Sequence, residues 1–72
     1  MKKDEQIIKR AKKDKIPIFV FIATDVLALK VLAKYEEECK LASCTQEQID
    51  GVNERIHEFT EYQATNLTKL PD

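Results

Sequence analysis

The sequence predicts an α+β fold in which one short strand precedes a helical hairpin. Residues 16–23 are uncharged and nearly all large and apolar, which is typical of a buried strand. Residues 26–42 and 46–64 each carry apolar side chains at three- and four-residue spacing, which indicates two amphipathic helices. Because the sequence predicts no second strand that could pair with this one, we expect another molecule to complete the sheet.

Length and charge divide the chain into three parts. A domain of 72 residues buries only about 60% of its unfolded surface, so it usually depends on a staple, a metal or a partner subunit. Residues 1–15 form a basic arm of net charge +4, and the remaining residues carry −5 within a net charge of −1. We expect residues 16–64 to form the core and residues 65–72 a tail.

Proline at position 17 suits the first residue of a strand and biases Ile16 towards extended backbone. Alternate residues of the strand point to opposite sides, and both sides are apolar, so both require cover. An unpaired strand also leaves its N–H and C=O groups without partners. We therefore expect antiparallel pairing between subunits in a homodimer or a higher even-numbered oligomer. The alternative is an all-α helical hairpin in which a helix begins at Pro17 and continues towards Ala42.

Two polar segments mark where the helices begin. Thr24 and Asp25 follow the strand, and either side chain can cap the first helix. Thr45 and Gln48 have the spacing of a capping box, in which each side chain accepts a hydrogen bond from the other residue's backbone, and they predict the start of the second helix.

The sequence contains no recognisable catalytic or metal-binding set. We interpret the single histidine, His57, as a surface residue, since local spacing places no partner beside it to complete a catalytic set. Cys39 and Cys44 with one histidine do not form a zinc site, and we expect them to be free thiols. One glycine in the whole chain excludes a glycine-rich phosphate loop. We expect a protein that is not an enzyme and needs no cofactor.

The junction between strand and first helix is the best candidate for a binding site. Unpaired helix N–H groups, the Thr24 hydroxyl and the positive end of the helix dipole converge there and favour an anion. Lys30, or Arg10 from the arm of another subunit, would add positive charge, and Tyr62 would stack on a base. The alternative is a plain junction with a structural cap. The candidate ligand-binding residues are Thr24, Asp25, Lys30, Arg10, Tyr62 and Gln63.

The basic arm has two interpretations. It is either a solvated, partly frayed helix or a phosphate-binding patch that contacts nucleic acid through residues 2–15. Its lysines have no aromatic residues between them, which favours the solvated helix. Residues 16–29 are too short to span a bilayer and include Asp25, so we expect a cytoplasmic protein without a membrane partner.

The segment P-I-F-V-F-I-A-T-D, the apolar helix after it and the closing I-H-E-F-T-E-Y-Q resemble a group of short proteins from phages and prophages. The resemblance covers residues 16–63 and implies a protein that acts in the host cytoplasm. Such a protein would sequester a small nucleotide-like signal in an anti-defence role, or dock on a host protein and inhibit it. The matching positions are Pro17, Phe19, Ala23, Asp25, Phe59, Tyr62 and Gln63.

Overall fold

The computed structural model describes residues 2–71, which form three helices. Helix α1 spans Lys2–Lys13, α2 spans Ala28–Leu41 and α3 spans Gln46–Thr65. Helices α2 and α3 pack on each other, and the connection between them is short enough to make them antiparallel. The architecture is therefore the helical hairpin of the all-α alternative, preceded by one further helix.

The α+β fold class predicted from residues 16–23 is wrong. Within residues 2–71 there is no strand, and residues 16–22 run as irregular backbone. Strand geometry requires a neighbouring backbone to pair with, and no described segment forms a ladder of backbone hydrogen bonds with this one. The predicted antiparallel pairing of strands between subunits is therefore wrong as well, because it required this strand. A continuous helix from Pro17 is also absent, since α2 begins only at Ala28.

The capping box that starts α3 is confirmed. The Thr45 hydroxyl oxygen accepts a hydrogen bond from the Gln48 amide at 3.2 Å, and the Gln48 side-chain oxygen accepts one from the Thr45 amide at 2.9 Å. These two bonds satisfy backbone donors that a helix start would otherwise leave unpaired. The second helix therefore begins where its local sequence predicts.

Helix α2 ends in a Schellman motif, a turn in which the backbone closes back on the last helical turn. Ser43 adopts a left-handed conformation with φ 59°, and the Cys44 amide donates to the Cys39 carbonyl at 3.0 Å. Helix α1 is followed by a residue in the same conformation, Lys15, with φ 56°. Glycine normally takes this position, so both turns carry the steric cost of a side chain there.

Helix α1 is connected to α3 by an ion pair. The Arg55 guanidinium donates to the Asp4 carboxylate at 3.0 Å and to the Glu58 carboxylate at 2.6 Å. The hydrogen bond with Glu58 is the main cause of a raised pKa for Arg55, and Asp4 acts in the same direction. Ala11 on the opposite half of α1 is buried. The basic arm is thus a helix that is joined to α3 through an ion pair in its first turn.

The buried core of this chain is very small. Among the described residues, Ala11, Ala28 and Cys39 are the buried apolar side chains, and all three are small. A compact folded protein of 8.3 kDa exposes about 4,600 Å². This chain exposes 6152 Å². Its radius of gyration of 13.3 Å also exceeds the roughly 11 Å of a compact domain of this length. A single copy therefore leaves much apolar surface in water.

The exposed apolar surface is concentrated in residues 16–22, which we call the apolar segment. Five of its seven residues are large apolar side chains with about half or more of their surface exposed, and Phe19 reaches 80%. Val31 and Tyr35 on the outer face of α2 are exposed as well. The exposed apolar side chains therefore form a contiguous run instead of lying singly on the surface.

Candidate functional site

The apolar segment and the end of the chain enclose an open groove of about 280 Å³, which we call the junction groove. It lies beside the start of α2, at the position where the sequence predicts an anion site. Its walls come from two segments that are far apart in sequence. The lining residues are Phe19, Val20, Ile22, Thr24, Asp25, Lys69, Leu70 and Pro71.

The tail forms one wall of the groove because its backbone pairs with the segment before α2. The Lys69 amide donates to the Thr24 carbonyl at 2.9 Å, and the Val26 amide donates to the Lys69 carbonyl at 2.9 Å. These two bonds make an isolated parallel bridge between Asp25 and Lys69. The tail is therefore joined to the junction at Lys69, which the prediction of a simple tail did not include.

Gln63 is a structural clamp. Its side-chain amide nitrogen donates to the Asp25 carbonyl at 3.0 Å and to the Ala23 carbonyl at 3.2 Å. Both amide hydrogens are used in these two bonds. Gln63, which was predicted to bind a ligand, thus connects the junction to α3. Its amide nitrogen has no hydrogen left to donate to a ligand.

Thr24 and Asp25 are the predicted site residues that do line the groove. The Asp25 carboxylate accepts a hydrogen bond from the Leu27 amide at 2.8 Å, which forms a turn just before α2. It does not cap the helix, because the N-cap position is occupied by Leu27, whose side chain makes no capping hydrogen bond. The first turn of α2 also contains no acidic residue. The Thr24 hydroxyl makes no hydrogen bond to any residue between 2 and 71.

The other predicted site residues lie elsewhere on the chain. Lys30 lines a shallow groove on the outer face of α2 with Val31 and Tyr35. Tyr62 lines a third groove, between α1 and α3, together with Arg55. Arg10 lies on α1 and lines none of these three grooves. One chain alone therefore brings together Thr24, Asp25 and Gln63 but not the predicted cations or the predicted stacking ring.

Two residues that line the groove were not among the predicted site residues. They carry the two kinds of group that the prediction required, an aromatic ring and a positive charge. Phe19 presents an exposed ring, whose edge-to-face contact with Phe21 has a centroid distance of 4.9 Å and an interplanar angle of 61°. Lys69, a basic residue from the far end of the chain, also lines the groove. The strand interpretation assigned Phe19 to a sheet face, and no local spacing relates Lys69 to Thr24.

The residues of the groove differ in chemical character. Phe19, Thr24, Asp25 and Lys69 carry an aromatic ring, a hydroxyl, a carboxylate and an ammonium, and they lie near the positive end of α2. Such groups stack on a base and hydrogen-bond to ribose and phosphate oxygens. No group of three metal-ligating side chains occurs within the described part of the chain.

The chain matches no family model, no curated protein and no solved structure. None of the helices in residues 2–71 combines the length and the apolar character that crossing a membrane requires.

Proposed function

We propose that this chain is a non-enzymatic binding protein that acts as an assembly of identical subunits and sequesters a small anionic, nucleotide-like ligand in the junction groove. One observation carries the proposal: Phe19, Thr24 and Lys69, which carry an aromatic ring, a hydroxyl and an ammonium, line the same groove. A nucleobase stacks on an aromatic face, and base–aromatic stacking contributes about 1–3 kcal/mol per base. Hydroxyl and ammonium groups recognise phosphate oxygens.

Self-association is supported by the apolar surface around the groove. A standard protein–protein interface removes about 800 Å² from each partner. The apolar segment is an exposed run of suitable character, and it shares Phe19, Val20 and Ile22 with the groove walls. A second subunit that covers the segment therefore also covers the open side of the groove, which produces an enclosed ligand site. In that assembly, Arg10 or Lys30 of a neighbouring chain would supply further positive charge.

The resemblance to short phage proteins gives this activity a biological setting. A protein that holds a nucleotide signal without converting it lowers the free concentration of that signal by mass action. Sequestration of this kind needs no catalytic group, and the enclosed site that it requires would form when a second subunit covers the open side of the junction groove.

A thermal-shift series with mono-, di- and cyclic nucleotides tests the ligand. Binding to the native state raises the melting temperature, and a nucleoside and inorganic phosphate identify which half of the ligand is recognised. Phe19→Leu keeps an apolar side chain but removes the stacking face, so it should abolish the shift by nucleotides. Lys69→Gln should weaken it, whereas the matched Lys34→Gln change on α2 should not. The absence of any shift at millimolar nucleotide would contradict the proposal.

Size-exclusion chromatography with light scattering tests the assembly. The full chain should elute as an oligomer, and Val20→Asp should shift it towards the monomer because a charge in the apolar segment opposes its burial. Leu67→Asp is the control, since Leu67 is 95% exposed and lies outside the groove. A folded monomer at all concentrations would refute the assembly.

Docking on a host protein is the second candidate function, because the same exposed apolar surface would fit a foreign partner. Capture of a defined host protein that Val20→Asp abolishes, combined with no response to nucleotides, would favour it. Nucleic-acid binding through residues 2–15 is a third candidate. Reversing the charges of Lys9 and Lys12 should abolish it and leave nucleotide binding intact.

A further inference from the structure

The end of α2 brings the two cysteines of the chain together. The Cys44 amide donates to the Cys39 carbonyl at 3.0 Å, which closes the Schellman motif. From standard bond lengths, this hydrogen bond limits the distance between the two Cα atoms to at most about 7 Å, whatever its angle. Disulfides bridge Cα atoms up to about this limit. In a Schellman motif the side chains at these two positions also contact each other.

The two thiols differ in exposure. Cys39 is buried with 7% of its surface exposed, and Cys44 is half-buried. Burial is the main cause of a raised pKa for the Cys39 thiol, and the adjacent Cys44 thiol raises it further. Both are reduced in this structure. An oxidant from solvent therefore meets Cys44 first, with Cys39 directly behind it.

We propose that Cys39 and Cys44 form a reversible intramolecular disulfide that staples the turn of the helical hairpin. A hydroperoxide supplies the oxidising equivalents. The Cys44 thiolate attacks the peroxide, which gives a sulfenic acid and one water or alcohol. The Cys39 sulfur then attacks the sulfenic sulfur, the S–S bond forms and a water leaves. Two thiols lose two electrons and two protons in total, and a dithiol reverses the reaction by exchange.

The position of the bond gives it a structural effect. It would connect the last turn of α2 to the residue immediately before Thr45, the cap of α3. The chain buries few apolar side chains, so the bond would add to a limited set of contacts between the helices, which includes the hydrogen bond from the Asn53 side-chain amide to the Glu36 carboxylate at 2.8 Å. A covalent link across the turn restricts the unfolded chain and should raise the stability of the hairpin. This inference does not depend on the ligand or on the assembly.

The test compares the full-length chain after treatment with hydrogen peroxide and after treatment with a dithiol. Mass spectrometry of the oxidised chain should show the loss of two hydrogen atoms, and no free thiol should remain after unfolding. The melting temperature should rise by several degrees, and the dithiol should reverse the change. Cys44→Ser should show neither effect, while the Ala42→Ser control should show both.

Two results would overturn the proposal. One is oxidation that yields only cross-linked chains on a non-reducing gel. The other is a Cys39 thiol that stays titratable after peroxide treatment and subsequent unfolding of the wild-type chain. Because both measurements use the wild-type protein, they remain decisive even if Cys44→Ser fails to fold.

Discussion

The side chain of Gln63 on α3 donates a hydrogen bond to the backbone carbonyl of Asp25, 38 residues earlier, at 3.0 Å. Its second amide hydrogen bonds to the Ala23 carbonyl at 3.2 Å. The Asp25 carbonyl also accepts a bond from the Ala28 amide at 3.2 Å, whereas the glutamine is the donor that the Ala23 carbonyl would otherwise obtain from secondary structure. The conformation of the junction therefore depends on a residue of the third helix.

Gln63→Ala should lower the free energy of unfolding by about 1–2 kcal/mol, because the partly buried Ala23 carbonyl loses its donor and the Asp25 carbonyl keeps only the Ala28 amide at 3.2 Å. A domain of this size should melt roughly 4–15 °C lower as a result. Gln46→Ala is the matched control on the same helix, since that side chain makes an exposed bond to Asp50. Equal melting temperatures for the two variants would contradict the clamp.

Thr45→Ala should lower the free energy of unfolding by about 1 kcal/mol, because it removes the acceptor for the Gln48 amide at the start of α3. Thr60→Ala is the control, since the Thr60 hydroxyl only donates to the Ile56 carbonyl one turn back on an exposed face. That change should be neutral or slightly stabilising. Chemical denaturation with equal m-values measures both, and a smaller loss for Thr45→Ala than for Thr60→Ala would refute the capping role.

Ser43→Gly should raise the free energy of unfolding by about 0.5–1 kcal/mol, because glycine takes the left-handed conformation of this residue without steric cost. The Ala42→Gly control has an ordinary φ of −83° and should bring no gain. Both are measured by thermal denaturation in the presence of a dithiol, so that the thiols stay reduced. A loss of stability for Ser43→Gly would show that the turn has another conformation in solution.

The buried Cys39 thiol should make the stability of the reduced protein fall at alkaline pH. Burial raises the pKa of Cys39 above its ordinary value of 9.0, so the folded state holds this proton more tightly than the unfolded state. The protonated Cys39 thiol makes its full contribution to the free energy of unfolding below pH 9, and this contribution is lost as the pH rises through the folded-state pKa. Cys39→Ala should flatten this slope between pH 8 and 10, roughly one unit either side of 9.0, in denaturation curves. An unchanged slope would contradict the buried thiol.

Helix positions were largely predictable because they depend on local patterns. The capping box at Thr45 and the apolar spacing after it place α3 within one residue of its observed bounds. The start of α2 was predicted two residues early, because Asp25 uses its carboxylate in a turn instead of a cap. Local hydrogen bonds thus determine the residues at which α2 and α3 begin.

The apolar segment and the groove depended on long-range contacts, which no spacing reveals. An apolar run with β-branched and aromatic residues favours a strand only if another backbone pairs with it, and the described chain provides none for residues 16–22. The bond between Lys69 and Thr24 joins residues 45 positions apart. For the same reason Lys30 and Tyr62, which sequence spacing placed at the site, lie in other grooves.

Because the backbone of the apolar segment is irregular, the rate at which its amide hydrogens exchange depends on what covers the segment. The amides from Ile18 to Ile22 have no acceptor among residues 2–71, so deuterium should replace their hydrogens within the shortest labelling times in an isolated chain. Slow replacement at these positions, with α2 and α3 unchanged, would mean that something outside one chain accepts those bonds or shields them from water. Labelling at several protein concentrations, with and without nucleotide, would then separate shielding by a sister chain from shielding by a ligand.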